Sequence, residues 1–402
     1  MTTCLPGSPS GRRVFLRLLV ACTGALVGCG GAPAPTPLPR PEEPPLPPID
    51  ALTDLCALAR LRWLVRARPR EITGTPFLIP SIGAVVSEPS FSAFAASTGI
   101  DLRQATEVVV AAYAPEARGA PPELAAPSPP EAGPLAAPPL DRPAAPRSPG
   151  PEGSPEGLDG ATRERLATLL SPPDEVLLYL VRHASDATAI ERLFRARLVA
   201  KEHRAVDRRD VVRVSGTVGT TKQTLVVLGR DVVGFQHGGS ASRGPARVAS
   251  LYAAQALKRS PTALGVEPLA GLAKRLGSAP AVGLAPGPFE GELARGGRGL
   301  LAGATGIGVA ARPSAREGIG LTVAVAGDFA TRGDAAAERL VAAWDELATS
   351  SFGHLLGLDR PVQAPLPTHG KDAVAIAVEL DPKTLARGLR AATSARIDEI
   401  MR

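Results

Sequence analysis

Cysteine and aromatic residues are scarce in this 402-residue chain, and each of these scarcities removes a class of function. Its four cysteines, Cys4, Cys22, Cys29 and Cys56, form no CxxC pair, so no sulfur-ligated zinc site is encoded. Aromatics make up 3% of residues, too few for a platform that stacks bases or sugars. Lysine occurs six times, all from Lys201 onward, and the excess of basic over acidic residues is only 6. That balance lacks the concentrated basic face of a nucleic-acid binder. The histidines, His183, His203, His237, His354 and His369, show neither HExxH nor i, i+4 spacing. At His237-Gly238-Gly239-Ser240-Ala241-Ser242 the second glycine of a GxSxG elbow is absent. Gly303-Ala304-Thr305-Gly306-Ile307-Gly308 lacks the GKS ending of a phosphate loop and opens a strand, so close packing is its better account. Asp328 and Asp334 offer two carboxylates where calcium takes six to eight oxygens. No catalytic, cofactor or metal motif emerges.

Long hydrophobic runs are missing too. The apolar stretch Leu18–Gly28 is too short to span a bilayer and follows a basic segment containing Arg12, Arg13 and Arg17, so residues 1–28 read as a signal peptide. Those arginines are the only charges before Cys29, which leaves 42 basic against 39 acidic residues beyond it. With Cys4 and Cys22 removed, no intramolecular disulfide is available to the body. Cys56, flanked by Leu55, Ala57 and Leu58, is expected to be buried and inert.

Proline divides the remainder. Residues 29–50 read as a tether: nine prolines between Gly30 and Asp50 favour extended polyproline geometry and a reach of about 50 Å. Residues 114–157 hold 14 prolines and no aromatics, the composition of a disordered insertion. The folded material is then 51–278, carrying that insertion, and 279–402. In the first part, strands are expected at 62–68, 107–113, 175–183, 211–218, 223–228 and 232–235. Helices are expected at 82–86, 91–97, 188–198 and 246–258, with Ser185 as a cap and Thr188-x-x-Glu191 as a capping box. The second part places strands at 281–285, 306–311, 319–326 and 374–379, and helical segments at 293–301, after Asp334 and after Asp381-Pro382. The pattern predicts an α+β fold: two diverged copies of an antiparallel-sheet unit covered by helices, plus disordered Pro-rich segments. In strand 62–68, Trp63, Val65 and Ala67 alternate with Arg62, Arg66 and Arg68. The arginines form either an anion-binding stripe or, more simply, a solvated face. The cluster Arg208-Arg209-Asp210 reads as a solvated turn.

Leu26-Val27-Gly28-Cys29 resembles the bacterial lipobox, and Arg12-Arg13-Val14-Phe15-Leu16-Arg17 resembles a twin-arginine export signal. Together with the tether and the phrase Thr98-Gly99-Ile100-Asp101-Leu102-Arg103, they resemble bacterial lipoproteins of the myxobacterial type. The resemblance implies acylation of Cys29, usually with three chains, and a place in the cell envelope. Gly30 stands where an aspartate favours inner-membrane retention, so the outer membrane is the expected site. The expected function is a non-catalytic binding or scaffold module, held to the membrane by its lipid and facing an envelope protein partner, with no nucleic acid. The polar, Gly-rich loop with His237, Ser240 and Arg243 is the candidate ligand-facing edge. An exported enzyme or cofactor protein with a dispersed site is the alternative, as is a carrier of apolar ligands.

Overall fold

The computed structural model describes residues 45–115, 175–183, 186–208, 210–257, 260–295 and 297–401. The expected signal peptide with Arg12 and Arg13, Cys29, most of the expected tether and nearly all of 114–157 lie outside the described residues. Leu46 and Ile49, from the end of the Pro-rich segment, pack against the body's core, and the Leu46 N–H donates to Asp210 at 3.3 Å.

Twelve described strands make one antiparallel sheet. They are β1 (Leu61–Ala67), β2 (Glu107–Tyr113), β3 (Val176–Arg182), β4 (Ala200–Arg208), β5 (Val211–Val218), β6 (Thr221–Leu228), β7 (Val232–His237), β8 (Ala281–Pro286), β9 (Ala304–Pro313), β10 (Ile319–Gly327), β11 (Gln363–His369) and β12 (Ala373–Leu380). Their order is β11-β12-β10-β9-β8-β1-β2-β3-β7-β6-β5-β4. The chain is therefore α+β, with helices on both sides of a large antiparallel sheet. The helices are α1 (Pro69–Thr73), α2 (Ile79–Val85), α3 (Glu88–Thr98), α4 (Ala187–Ala196), α5 (Pro245–Ala253), α6 (Leu269–Leu276), α7 (Gly291–Arg295), α8 (Gly333–Ala348), α9 (Ser351–Leu356) and α10 (Pro382–Met401).

Burial on both faces explains why several strands lack simple polar alternation. In β12, Val374, Ile376, Val378 and Leu380 join Leu340 and Trp344 of α8 in one cluster, while Ala375 turns to the opposite core. That opposite core runs under the centre of the sheet. It joins Leu52 and Leu55 of a short 3₁₀ turn, Ala246 and Ala249 of α5, Leu269, Leu272 and Leu276 of α6, and the buried Cys56. Burial pushes the Cys56 thiol up to about 12, which keeps it protonated at neutral pH. A third cluster, around Ile190 and Phe194 of α4, covers β3, β5, β6 and β7 on the α8 side of the sheet. Gly306 and Gly308 do serve close packing. A Cβ on Gly306 would come within 3.0 Å of Leu272, and one on Gly308 within 2.7 Å of Leu276, so their absence lets α6 settle on β9.

Several expectations need correction. On β1 the face bearing the arginines is the packed one: Leu64 is buried and Arg66 half-buried beneath the helices, whereas Val65 is 39% exposed. Leu64 marks the packed face because α6 and the 3₁₀ turn lie over it. Asp186, not Ser185, caps α4, its carboxylate accepting from the Thr188 N–H at 2.9 Å; Ser185 lies outside the described residues. Glu191 closes no capping box and instead pairs with Arg195 and Arg204, each at 2.9 Å. Asp334 stands inside α8 rather than capping it and pairs with His369 at 3.0 Å. Near the end of α8, Leu347 is 42% exposed and Ala348 takes the buried position. Asp381 does cap α10, accepting from the Thr384 N–H at 2.8 Å. The strands β4 and β11 and the helices α1, α6 and α9 were not expected. Both unexpected strands are edges: β4 is rich in charge and β11 carries Pro365 and Pro367, two devices that discourage pairing with another chain.

Candidate functional site

Register builds a polar row out of residues far apart in the chain. On the face that carries α5, His203 of β4 pairs with Ser215 of β5, Ser215 with Thr224 of β6, and Thr224 with Gln236 of β7. The same row continues through Leu178, Ala111, Leu64 and Leu284 into the apolar core. Polar side chains thus occupy the end of the sheet where helix cover stops. There His203, Ser215 and Thr224 line a cavity of about 1050 Å³, together with Arg213, Thr217 and Lys222, and Gln236 is buried beneath the Gly238–Ser240 loop that forms part of its wall.

The row is internally bonded. The Ser215 and Thr224 hydroxyls lie 3.1 Å apart, and Arg213 donates to the Ala241 carbonyl at 3.0 Å. Gln236, 1% exposed, organises the loop above. Its amide nitrogen donates to the carbonyls of Gly238 at 2.8 Å and Ser240 at 3.2 Å, and its amide oxygen accepts from the Ala246 N–H at 3.0 Å. That last bond satisfies a first-turn donor of α5, whose cap position, Gly244, has no side chain to do so. Gly238 and Gly239 hold φ of 79° and 68°, left-handed values that explain glycine at both places. Replacing Gln236 by alanine should strand these partners and cost about 1–3 kcal/mol, read as a lower urea midpoint than wild type.

Electrostatically the cavity is basic. Arg213, Lys222 and Arg247 line it with His203, against one carboxylate, Glu175. Glu175 lies 3.4 Å from Arg62 through Oε1, while its buried Oε2 has no hydrogen-bond partner among the described residues. Burial raises its pKa and Arg62 opposes that rise. Among the described residues no group of three or more His, Cys, Asp or Glu side chains converges as a metal cage.

Of the three loop residues singled out from sequence, Ser240 lines this cavity. Arg243 lines a separate cavity of about 190 Å³ beside Tyr113 and Arg60. His237 follows Gln236 on β7 and so points to the opposite face, by the alternation of a strand. Sequence reasoning missed Arg213, Ser215, Thr217, Lys222, Thr224 and Gln236. The period of two of Arg213, Ser215 and Thr217 on β5 and of Lys222 and Thr224 on β6 was a usable signal; Gln236 on β7 and the convergence with His203 needed the register.

No protein-family model matches the chain, and no curated protein matches it. Among solved structures, crystal form I of TP0453 matches over 86% of this chain and 98% of its own, with 9% sequence identity and a TM-score of 0.33. A likeness at that level assigns neither family nor function.

Proposed function

We propose that this chain is a lipid-anchored protein of the cell envelope, held through an acylated Cys29, whose body is a non-catalytic module that binds a polar, acidic ligand. The lipobox Leu26–Cys29 and the arginine pair Arg12-Arg13 support the address, with the outer membrane as the expected site. The observation that carries the binding role is the polar row of exposed His203 and buried Ser215 and Thr224 lining a basic cavity, its loop wall held by the buried Gln236. Hydroxyls and cations suit hydrogen-bonding, negatively charged partners, and they disfavour an apolar cargo.

The body is read as two diverged copies of one α+β unit. Outward from the centre, the second half runs β8-β9-β10-β12-β11 and the first runs β1-β2-β3-β7-β6, with β5 and β4 added beyond. Each half thus places its first three strands in order, then its last, then its penultimate one. The halves meet through β1 and β8, antiparallel, with Leu64 opposite Leu284 and Ala67 opposite Ala281. Exchanging Leu64–Ala67 with Ala281–Leu284 brings Pro69 onto Pro286, the proline that follows each central strand segment.

Native mass spectrometry of the protein extracted from envelopes in mild detergent tests the binding role. The expected spectrum shows a polar adduct, and Lys222→Glu, at an exposed position, should reduce the adduct-bound fraction at least about tenfold. An adduct-free wild type, or an adduct indifferent to Lys222→Glu, would refute a ligand at this cavity.

A further inference from the structure

A second, smaller cavity lies on the same covered face at the centre of the sheet. It measures about 270 Å³ and is enclosed by β1, β8 and the C-terminal end of α6. Arg66, Arg68 and Lys274 line it, and no carboxylate does. Its floor is apolar, made of Leu64, Val282 and Leu284, and the hydroxyls of Thr53 and Ser278 complete its wall.

Arg66 is set there by register. It pairs with Val109 on one side and Val282 on the other, both buried on this face, so its stem rests on the core and its guanidinium reaches the cavity. Arg68 gives one guanidinium nitrogen to Glu71 at 3.1 Å. Arg66 and Lys274 make no ion pair or hydrogen bond among the described residues. Arg66, half-buried, and Lys274, exposed at the mouth, thus bring two cations without a carboxylate partner to one cavity, and a multivalent anion can engage both. Arginine supplies a planar fork for oxyanions, lysine a point charge.

We propose that this cavity binds a phosphate monoester: the dianion between Arg66 and Lys274, its ester oxygen toward the hydroxyls, and a small organic group on the apolar floor. The site is separate from the β4–β6 cavity, so its failure would leave the function proposed above untouched. Two sources can present this chemistry, a soluble phosphorylated metabolite or the headgroup of a phosphatidic-acid-like lipid. The test uses the full mature protein in calorimetric titration with glycerol phosphate. A parallel arm measures co-sedimentation of the Cys29→Ala protein, which lacks acyl chains of its own, with phosphatidylcholine vesicles with and without phosphatidic acid. Wild type should bind glycerol phosphate, and Lys274→Glu, at an exposed position, should weaken that binding at least about tenfold with an unchanged thermal midpoint. Arg66→Gln should act in the same direction. Vesicle binding that depends on phosphatidic acid and is lost in Lys274→Glu would assign the lipid source, and binding of glycerol phosphate alone the soluble one. No binding in either arm up to about 10 mM phosphate monoester, or equal binding by wild type and Lys274→Glu, would overturn the proposal.

Discussion

Phe194→Ala is expected to lower the unfolding free energy by about 3–5 kcal/mol, the cost of emptying a fully packed aromatic site. Phe194 is 2% exposed at the heart of the α4 cluster, among Ile190, Val181, Leu225 and Val233. Its ring lies 6.3 Å from that of Phe235, tilted by 51°, an arrangement worth about 0.5–1.5 kcal/mol beyond area burial. Few aromatics are available to fill the hole. Because domain stability is typically about 5–15 kcal/mol, the loss should shift the urea midpoint strongly. Val65→Ala is the contrasting control: that side chain is 39% exposed, and its replacement should stay within about 0.5 kcal/mol. Equal midpoints for the two variants would contradict the assignment of a core beneath α4.

Cys29→Ala is expected to move the protein from the membrane fraction to the soluble one. Acyl burial contributes about 0.8 kcal/mol per methylene; one chain holds marginally and several hold firmly, so on the proposed acylation the loss of Cys29 removes the anchor as a whole. Among the described residues no single helix is long and apolar enough to cross a membrane in its place. Washing membranes with carbonate and immunoblotting both fractions reads the result. A Cys29→Ala protein that still pellets with membranes would show that something other than lipid holds it there.

Much of this architecture was legible in the sequence because it rests on local signals. The strands β2 and β5 are rich in valine, and both are found at the expected bounds, 107–113 and 211–218. Asp381-Pro382 starts α10 by cap chemistry alone. The edges were not legible: the prolines of β11 and the charges of β4 oppose strand propensity, and only a neighbouring strand makes them strands. The faces of β1 were inverted for a related reason. Alternation placed the arginines outside, yet the helices that cover that face come from residues 245–276, far along the chain. The cavity residues fared likewise. Ser240 was found through its Gly-rich loop, whereas Gln236, which holds that loop, looked like an ordinary strand residue next to the more conspicuous His237. Chemistry assembled by cross-strand register leaves only a weak trace in any one segment, and the cavity beside Arg66 is a further instance.

The most direct test of the account is the intact mass of the protein taken from the envelope. A chain that begins at Cys29 and carries the mass of its acyl chains is the predicted result, since the proposed anchor and the proposed address both depend on that residue. A mass that includes residues 1–28, or a chain cut elsewhere and free of lipid, would contradict the account at its centre.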